Sequence, residues 1–342
     1  MAEKNTSITY GAIMKKLMAG EFAPIYILMG DESYYIDKIS DYIAENVLKP
    51  EERDFNQSIV FGADTTAAAV ADLCKGYPMM AERRVVILKE AQNLRNFDAL
   101  EKYFEKPVKS TVFVMCYKNG SIDKRKKLLS RAEAAGVVFE SKKLFERQLP
   151  GFIETYLKTQ GATIEPKATM MIADAIGADL HRLTSELDKV LISLPDNNKR
   201  VTPDIVEREI GVSKEFNAFE LRSALVNRNA YKANQIINYF DNNPKSGSLY
   251  ALLPTLFSYF QNLMIAFYAP ARGDENELAK FLEIRNAWAA HEYTIGMKNF
   301  PARKVVAIID KIKEIDAKSK GLNNPNTSAG ELMKELIFFI LH

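Results

Sequence analysis

The chain has 342 residues, enough for two or three domains with a sizeable core. Apolar residues at 47% and charged residues at 26% fit a globular protein and exclude a disordered or fibrous one. A formal charge of +2 excludes a global field that would pull the protein onto DNA or an anionic membrane, while leaving room for a local basic patch.

In chain order, Ser7-Ile8-Thr9-Tyr10 opens a short amphipathic helix, with Ile13, Met14 and Leu17 at helical spacing and a stop at Gly20. Pro24–Met29 reads as a first buried strand, closed by Gly30-Asp31-Glu32. A helix follows, with Ile36, Ile39, Ile43 and Val47 on one stripe. Strand, glycine turn and helix in that order is how nucleotide-binding folds seat phosphate at a helix N-terminus. The chemistry for it is absent. A P-loop needs G-x-x-x-x-G-K-[ST], whereas this turn has one glycine and two acids, and Gly-Lys occurs nowhere in the chain. Asp31 and Glu32 repel phosphate but suit the start of a helix.

The segment Leu73 to Leu88 organises the rest of the chain. Helix is expected near 65–75, and Gly76 and Pro78 then force a corner before the apolar run Val85-Val86-Ile87-Leu88, expected to be a central strand of a parallel sheet. Tyr77, Met79 and Met80 sit on the corner, either tucked inward or offered to a partner. The run ends in Lys89-Glu90, where an ATPase of this architecture ends in Asp-Glu to hold magnesium. Helices near 94–105 and 122–135 alternate with strands at Thr111–Cys116 and Gly136–Phe139. The pattern predicts an α/β sheet covered on both faces, a nucleotide-binding scaffold without its nucleotide chemistry.

Beyond Phe139 the strand signal stops, and a small all-helical domain is expected. A helix starts at Gln148-Leu149-Pro150, and others cover Lys167–Ile176 and Asp179–Ile192, the latter with leucines 180, 183 and 187 on one face. Pro195-Asp196-Asn197-Asn198 ends that helix, and Pro203 suits the first position of the next. From Asn217 onward the chain is helical again, between capping patterns at Asn217-Ala218-Phe219-Glu220 and Ser328-Ala329-Gly330-Glu331. It includes an apolar helix from Leu249 to Tyr268, one opened by Pro301 and a last one ending Leu336–Ile340. Their wide apolar stripes suggest association with other subunits.

Candidate catalytic and metal chemistry is sparse. His181, His291 and His342 lie far apart, neither cysteine has a second ligand nearby in sequence, and no nucleophile motif such as G-x-S-x-G is present. The reading is no catalytic residue, no metal and no cofactor. Cys74 and Cys116 lie in apolar surroundings without a pairing pattern, which favours a reducing compartment. With no continuous h-region at the N-terminus and no apolar stretch of about 18 residues, a cytoplasmic location without a membrane is expected. Four consecutive bases, Lys124, Arg125, Lys126 and Lys127, with Lys142 and Lys143 later, are candidates for DNA-phosphate contact, against the alternative of a solvated helix face.

In order and spacing, Pro24–Asp31, Pro78–Val86, Asp123–Leu128, Asp179–Lys189 and Asn217–Leu221 together resemble the delta subunit family of bacterial DNA polymerase III. Asp316, Lys318 and Ser319 within Ile312–Leu322 resemble the family's C-terminal Asp…Lys-Ser helix. The resemblance implies a multidomain α/β plus all-α protein. Its parts would be an AAA+-like (RecA-like) parallel-sheet domain without a P-loop over 1–140, a small helical lid over 141–211 and a helical collar over 212–342. It implies a clamp-loader subunit of the polymerase holoenzyme that binds and opens the beta sliding clamp for loading on primed DNA, with no ATP hydrolysis of its own. Implied partners are the clamp, the ATPase (gamma/tau) subunits, delta prime and, through the complex, primed DNA. The family grips the clamp with an adjacent hydrophobic pair, which by position falls on Met79 and Met80, with Tyr77 and Pro78 beside them. This sequence departs from the family's Leu-Phe type of pair, a change that methionine's adaptability makes workable. Ser130-Arg131-Ala132 lacks the cysteine of the Ser-Arg-Cys finger carried by active neighbours, so Arg131 takes no such role. The alternatives are a structural ring subunit like delta prime, or an ATPase with a non-standard phosphate site around Gly30.

Overall fold

Alternation along the strands sets the layering of the first half of the chain. In β1 (Ile25–Gly30), Ile25, Ile27 and Met29 face one side and Tyr26 and Leu28 the other, and all five are buried. The computed structural model describes residues 8–195, 199–213, 216–243, 248–270, 272–284, 287–324 and 326–342, with backbone alone at 287–289. Two compact units divide the chain, one ending at Leu144 and the other beginning at Phe145.

The first unit holds α1 (Tyr10–Met18), β1, α2 (Ser33–Asn46), α3 (Arg53–Asn56), β2 (Gln57–Phe61), α4 (Ala67–Lys75), β3 (Arg84–Lys89), α5 (Glu101–Glu105), β4 (Thr111–Lys118), α6 (Lys127–Ala135) and β5 (Val137–Ser141). The five strands are all parallel and run in the order β2-β3-β4-β1-β5. Helices α1 and α2 cover one face, and α4, α5 and α6 cover the other. This is the AAA+-like, RecA-like sheet. β3 is interior and buried along Val85–Leu88 as expected, although β4 is the middle strand.

Three expectations need correction here. β2 was not foreseen, because as an edge strand it leaves Ile59 and Phe61 exposed and shows no clean alternation. The helix expected over 94–105 is a 3-10 segment (Phe97–Leu100) running into the five-residue α5. The helix expected from 122 begins only at Lys127, so Lys124, Arg125 and Lys126 lie in the turn before it.

The second unit opens with α7 (Leu149–Thr159), β6 (Thr163–Ile164), α8 (Pro166–Ile176), α9 (Leu180–Ser193), β7 (Arg200–Val201) and α10 (Pro203–Ile210). Leu180, Leu183 and Leu187 form the buried face of α9, and Asp179 caps its start. The all-helical expectation is corrected by a parallel β6–β7 pair, two residues from each strand. Asp196, Asn197 and Asn198, expected to end α9, lie outside the described residues.

The chain continues through α11 (Ala218–Val226), α12 (Ala230–Asn242), α13 (Leu249–Ala266), α14 (Glu275–Phe281), α15 (Ala287–Asn299), α16 (Ala302–Ser319) and α17 (Ala329–Leu341). Asn217 caps α11, and Ser328 with Glu331 forms a reciprocal capping box on α17. The expectation that no apolar run of about 18 residues occurs is also corrected. α13 has 18 residues and is long and apolar enough to cross a membrane. Leu252, Leu256, Phe260 and Leu263 of α13 are nevertheless buried in a core shared with α11, α12, α16 and α17.

Candidate partner-binding corner

α4 carries the chain to Lys75, and Gly76 ends it in an extended conformation, donating its N–H to Leu73. The carbonyl of Cys74 accepts from the Thr111 hydroxyl at 2.9 Å and from the Tyr103 hydroxyl at 3.4 Å, which ties the end of α4 to the sheet. At the other foot of the corner, the Arg83 guanidinium lies 5.2 Å from the centre of the Phe22 ring, and the Arg84 N–H reaches the Ser110 carbonyl at 2.8 Å.

Between these feet the apolar side chains point outward. Tyr77 is 82% exposed, Met79 59% and Met80 102%, while Pro78 is half-buried. The pair sits in the irregular connection past α4 rather than on the helix itself. Met80 has a φ of 54°, in the left-handed region that a side chain with a Cβ enters at a cost of about 1–2 kcal/mol. A large apolar side chain, strained in its backbone and fully exposed among the described residues, is an unusual use of methionine.

Sequence reasoning missed the residue that holds this corner. Asn56, 1% exposed at the end of α3, accepts from the Met79 N–H at 2.6 Å and donates to the Met79 carbonyl at 2.9 Å. Its second amide hydrogen reaches the Glu52 carbonyl at 2.9 Å. An Asn before a strand looks like ordinary turn chemistry, and its partner lies 23 residues away, so nothing local signals the contact.

The opposite turn, where a nucleotide would sit in an active relative of this fold, is organised differently. Gly30 has a φ of 127°, and a Cβ there would come within 2.0 Å of the Ser141 carbonyl oxygen, so packing of β1 on β5 explains the glycine. Glu32 is buried and caps α2 by accepting from the Tyr34 N–H. Lys89, at the end of β3, pairs with Asp41 at 3.3 Å, and Lys118, at the end of β4, pairs with Asp37 at 2.6 Å.

The basic run is largely engaged by neighbours. Lys124 pairs with Glu140, Arg125 with Asp123 and Lys126 with Asp98, each at 2.7 Å, and Lys126 also lies 4.6 Å from the Phe97 ring centre. Lys127 is exposed at the first position of α6. Arg131 is held on the same helix by Glu101 and Glu105. Cys74 and Cys116 are free and buried, and burial pushes both thiols up to about 12, far from a reactive thiolate.

The second unit has a cavity of about 300 Å³ whose wall includes Asp174, Arg222, Glu292, Tyr259 and Tyr293. Arg222 is buried and bonds Glu292 at 3.2 Å. Asp174 Oδ2, Arg222 Nε and Glu292 Oε1 are buried and have no hydrogen-bond partner among the described residues. Burial, eased by Arg222 and reinforced by Glu292 and Glu146, pushes the Asp174 carboxyl up to about 6. This cluster was also unforeseen, its one signal being an arginine that shares α11 with Phe219, Leu221, Leu225 and Val226.

The sheet order, the paired charges at its C-terminal end and the outward-facing corner together define a class: an AAA+-like module joined to a helical unit. Residues 26–142 match the family model for DNA polymerase III, delta subunit. DNA polymerase III subunit delta of Bacillus subtilis (strain 168) is 28% identical over 284 residues, which is 80% of this chain and 81% of that one. Among solved structures, the Bacillus subtilis DNA clamp loader delta protein (YqeN) superposes with a TM-score of 0.54 at 22% identity, covering 97% of this chain and 99% of its own. The chain is therefore similar in sequence to DNA polymerase III delta subunits, through the first unit by the family model and over most of its length by the curated relative, and similar in fold to a clamp loader delta protein.

Proposed function

We propose that this chain is the subunit that grips the beta sliding clamp and favours its open form, with the Tyr77–Met80 corner as the gripping element. The observation that carries the reading is the outward presentation of Met79 and Met80 from a corner anchored at both feet. Burying two methionine side chains in an apolar pocket supplies about 3–6 kcal/mol before the costs of association, enough for a pair of hot spots. A ligand shifts a ring toward its open form only if it binds that form better than the closed one. The corner supplies affinity, and the rigid sheet behind it supplies a surface that fits the strained ring.

On this reading the ATP-driven step belongs to neighbouring gamma/tau subunits, and delta prime completes the ring. Residues 1–140 form the clamp-binding module, 141–211 the lid and 212–342 the collar that meets the other subunits. The protein works in the bacterial cytoplasm. Contact with primed-DNA phosphate through Lys124–Lys127 is a secondary part of the reading, and Lys124, Arg125 and Lys126 would each exchange a carboxylate partner for a phosphate.

The test replaces Met79 and Met80 with serine and measures binding of the full chain to its clamp by surface plasmon resonance. The expected result is loss of at least about 100-fold in affinity with an unchanged unfolding midpoint. Unaltered affinity in a folded variant removes the corner from the interface.

A further inference from the structure

We propose that Asn56 is a positioning residue for clamp recognition: its buried carboxamide fixes the backbone of Met79 so that Met79 and Met80 are presented in a preformed arrangement. The inference rests on the corner being the clamp contact, and adds a residue that itself touches no partner.

Asn56 treats Met79 as one strand treats another. Its Oδ1 takes the Met79 N–H at 2.6 Å and its Nδ2 gives to the Met79 carbonyl at 2.9 Å, while the second Nδ2 hydrogen goes to the Glu52 carbonyl. Three bonds from a side chain 1% exposed fix the amide's orientation, since a flipped amide would set a donor against the Met79 N–H and an acceptor against two carbonyls. Neither near-isostere meets the same pattern: aspartate has no donor for either carbonyl, and leucine would leave three part-buried backbone groups without this partner.

The consequence appears one residue later. Met80 holds a φ of 54° with its side chain wholly in solvent, so no packing of that side chain repays the left-handed backbone. Such a conformation persists only where the surroundings impose it. The imposed point is Met79, clamped through both of its peptide groups. Released from Asn56, residues 77–82 would sample several basins and would have to be ordered during association, a cost that preorganisation removes.

The experiment is a double-mutant cycle on the full chain, with the purified sliding clamp on the sensor surface. Asn56→Ala is expected to weaken clamp binding about ten-fold and to remove protection of the Met79 amide in hydrogen exchange. In the Met79→Ser/Met80→Ser background, Asn56→Ala is expected to have no further effect on binding. An Asn56 that serves only the fold would lower stability equally in both backgrounds and leave the affinity of the folded fraction unchanged, and that outcome overturns the proposal. Should Asn56→Ala not fold, Asn56→Asp carries the same arms, because it keeps the shape and loses both donors. A wild-type chain that does not bind the clamp refutes the reading of the corner itself. A wild-type chain that binds, with Asn56→Ala binding equally well, refutes only the role of Asn56.

Discussion

Lys118 closes onto Asp37 at 2.6 Å, joining the end of β4 to α2 across the end of the sheet where a nucleotide would sit in an active relative. Both side chains are about three-quarters buried, and Lys89 and Asp41 make a second pair beside them. The pair takes up a lysine and an acid that face each other over the turn, leaving the site internally neutralised. Lys118→Ala strands a partly buried carboxylate and is expected to cost about 1–2 kcal/mol in urea unfolding. Lys118→Ala/Asp37→Ala should recover part of that loss. A cycle with no coupling between the two positions would show that the contact is not formed in solution.

Gly30 tests the same region from the backbone side. If the glycine is there for phosphate, alanine should leave the fold intact. If it is there because β5 lies against it, alanine must displace the Ser141 backbone and adopt a φ of 127°. Gly30→Ala is therefore expected to lower stability by at least about 3 kcal/mol, read as a shift in the urea midpoint at constant slope.

Much of this architecture is legible in the sequence, for reasons that can be named. β1, β3 and β4 are short apolar runs buried on both faces, and the corner announces itself through Gly76 and Pro78. β2 is not legible, because an edge strand with Ile59 and Phe61 in solvent follows neither the alternating nor the fully buried pattern. Hydropathy alone would put Met79 and Met80 inside, so their exposure needed the fold. Asn56 and the Asp174–Arg222–Glu292 cluster were out of reach for a different reason. Their chemistry comes from residues distant in sequence, and each residue taken alone looks like a turn former or a surface charge.

Met80 separates stability from recognition. Replacing it with glycine removes the left-handed penalty of about 1–2 kcal/mol and adds about 0.5–1 kcal/mol of unfolded-chain entropy. Met80→Gly is expected to be as stable as the wild type or up to about 1 kcal/mol more stable, while binding the clamp more weakly. Thermal unfolding and plasmon resonance on one preparation check both halves. A marked loss of stability would show that the Met80 side chain packs on its own protein.

Arg222 is the cation on which the second unit's buried acids depend. It lies against Glu292 at 3.2 Å and stacks over Phe219 with 5.0 Å to the ring centre. Arg222→Met keeps much of the volume but leaves Asp174 and Glu292 facing each other without a counter-charge. The expected cost is about 3–5 kcal/mol, with a smaller cost when Asp174→Asn is added.

Asp174 makes the stability of this unit depend on pH in a defined direction. Its carboxyl is pushed up to about 6 by burial, with Arg222 on α11 opposing, and Glu292 on α15 and Glu146 ahead of α7 reinforcing the rise. In the unfolded chain an aspartate titrates near 3.9, so between about 4 and 6 the folded state holds a proton that the unfolded state has released. The stabilising contribution is complete below about 4 and is lost as pH rises through 6. At neutral pH the ionised carboxylate, with Oδ2 buried and unpartnered among the described residues, is a net burden. Each tenfold change in proton affinity is worth about 1.4 kcal/mol, so the burden amounts to roughly 1–3 kcal/mol. Asp174→Asn keeps the shape and removes the titration. Its advantage over the wild type in urea unfolding should be largest near pH 7.5 and shrink steadily toward pH 4.5. Parallel pH profiles for the two proteins would mean that the carboxylate is solvated, and that the cavity beside Arg222 is filled with water when the protein is in solution.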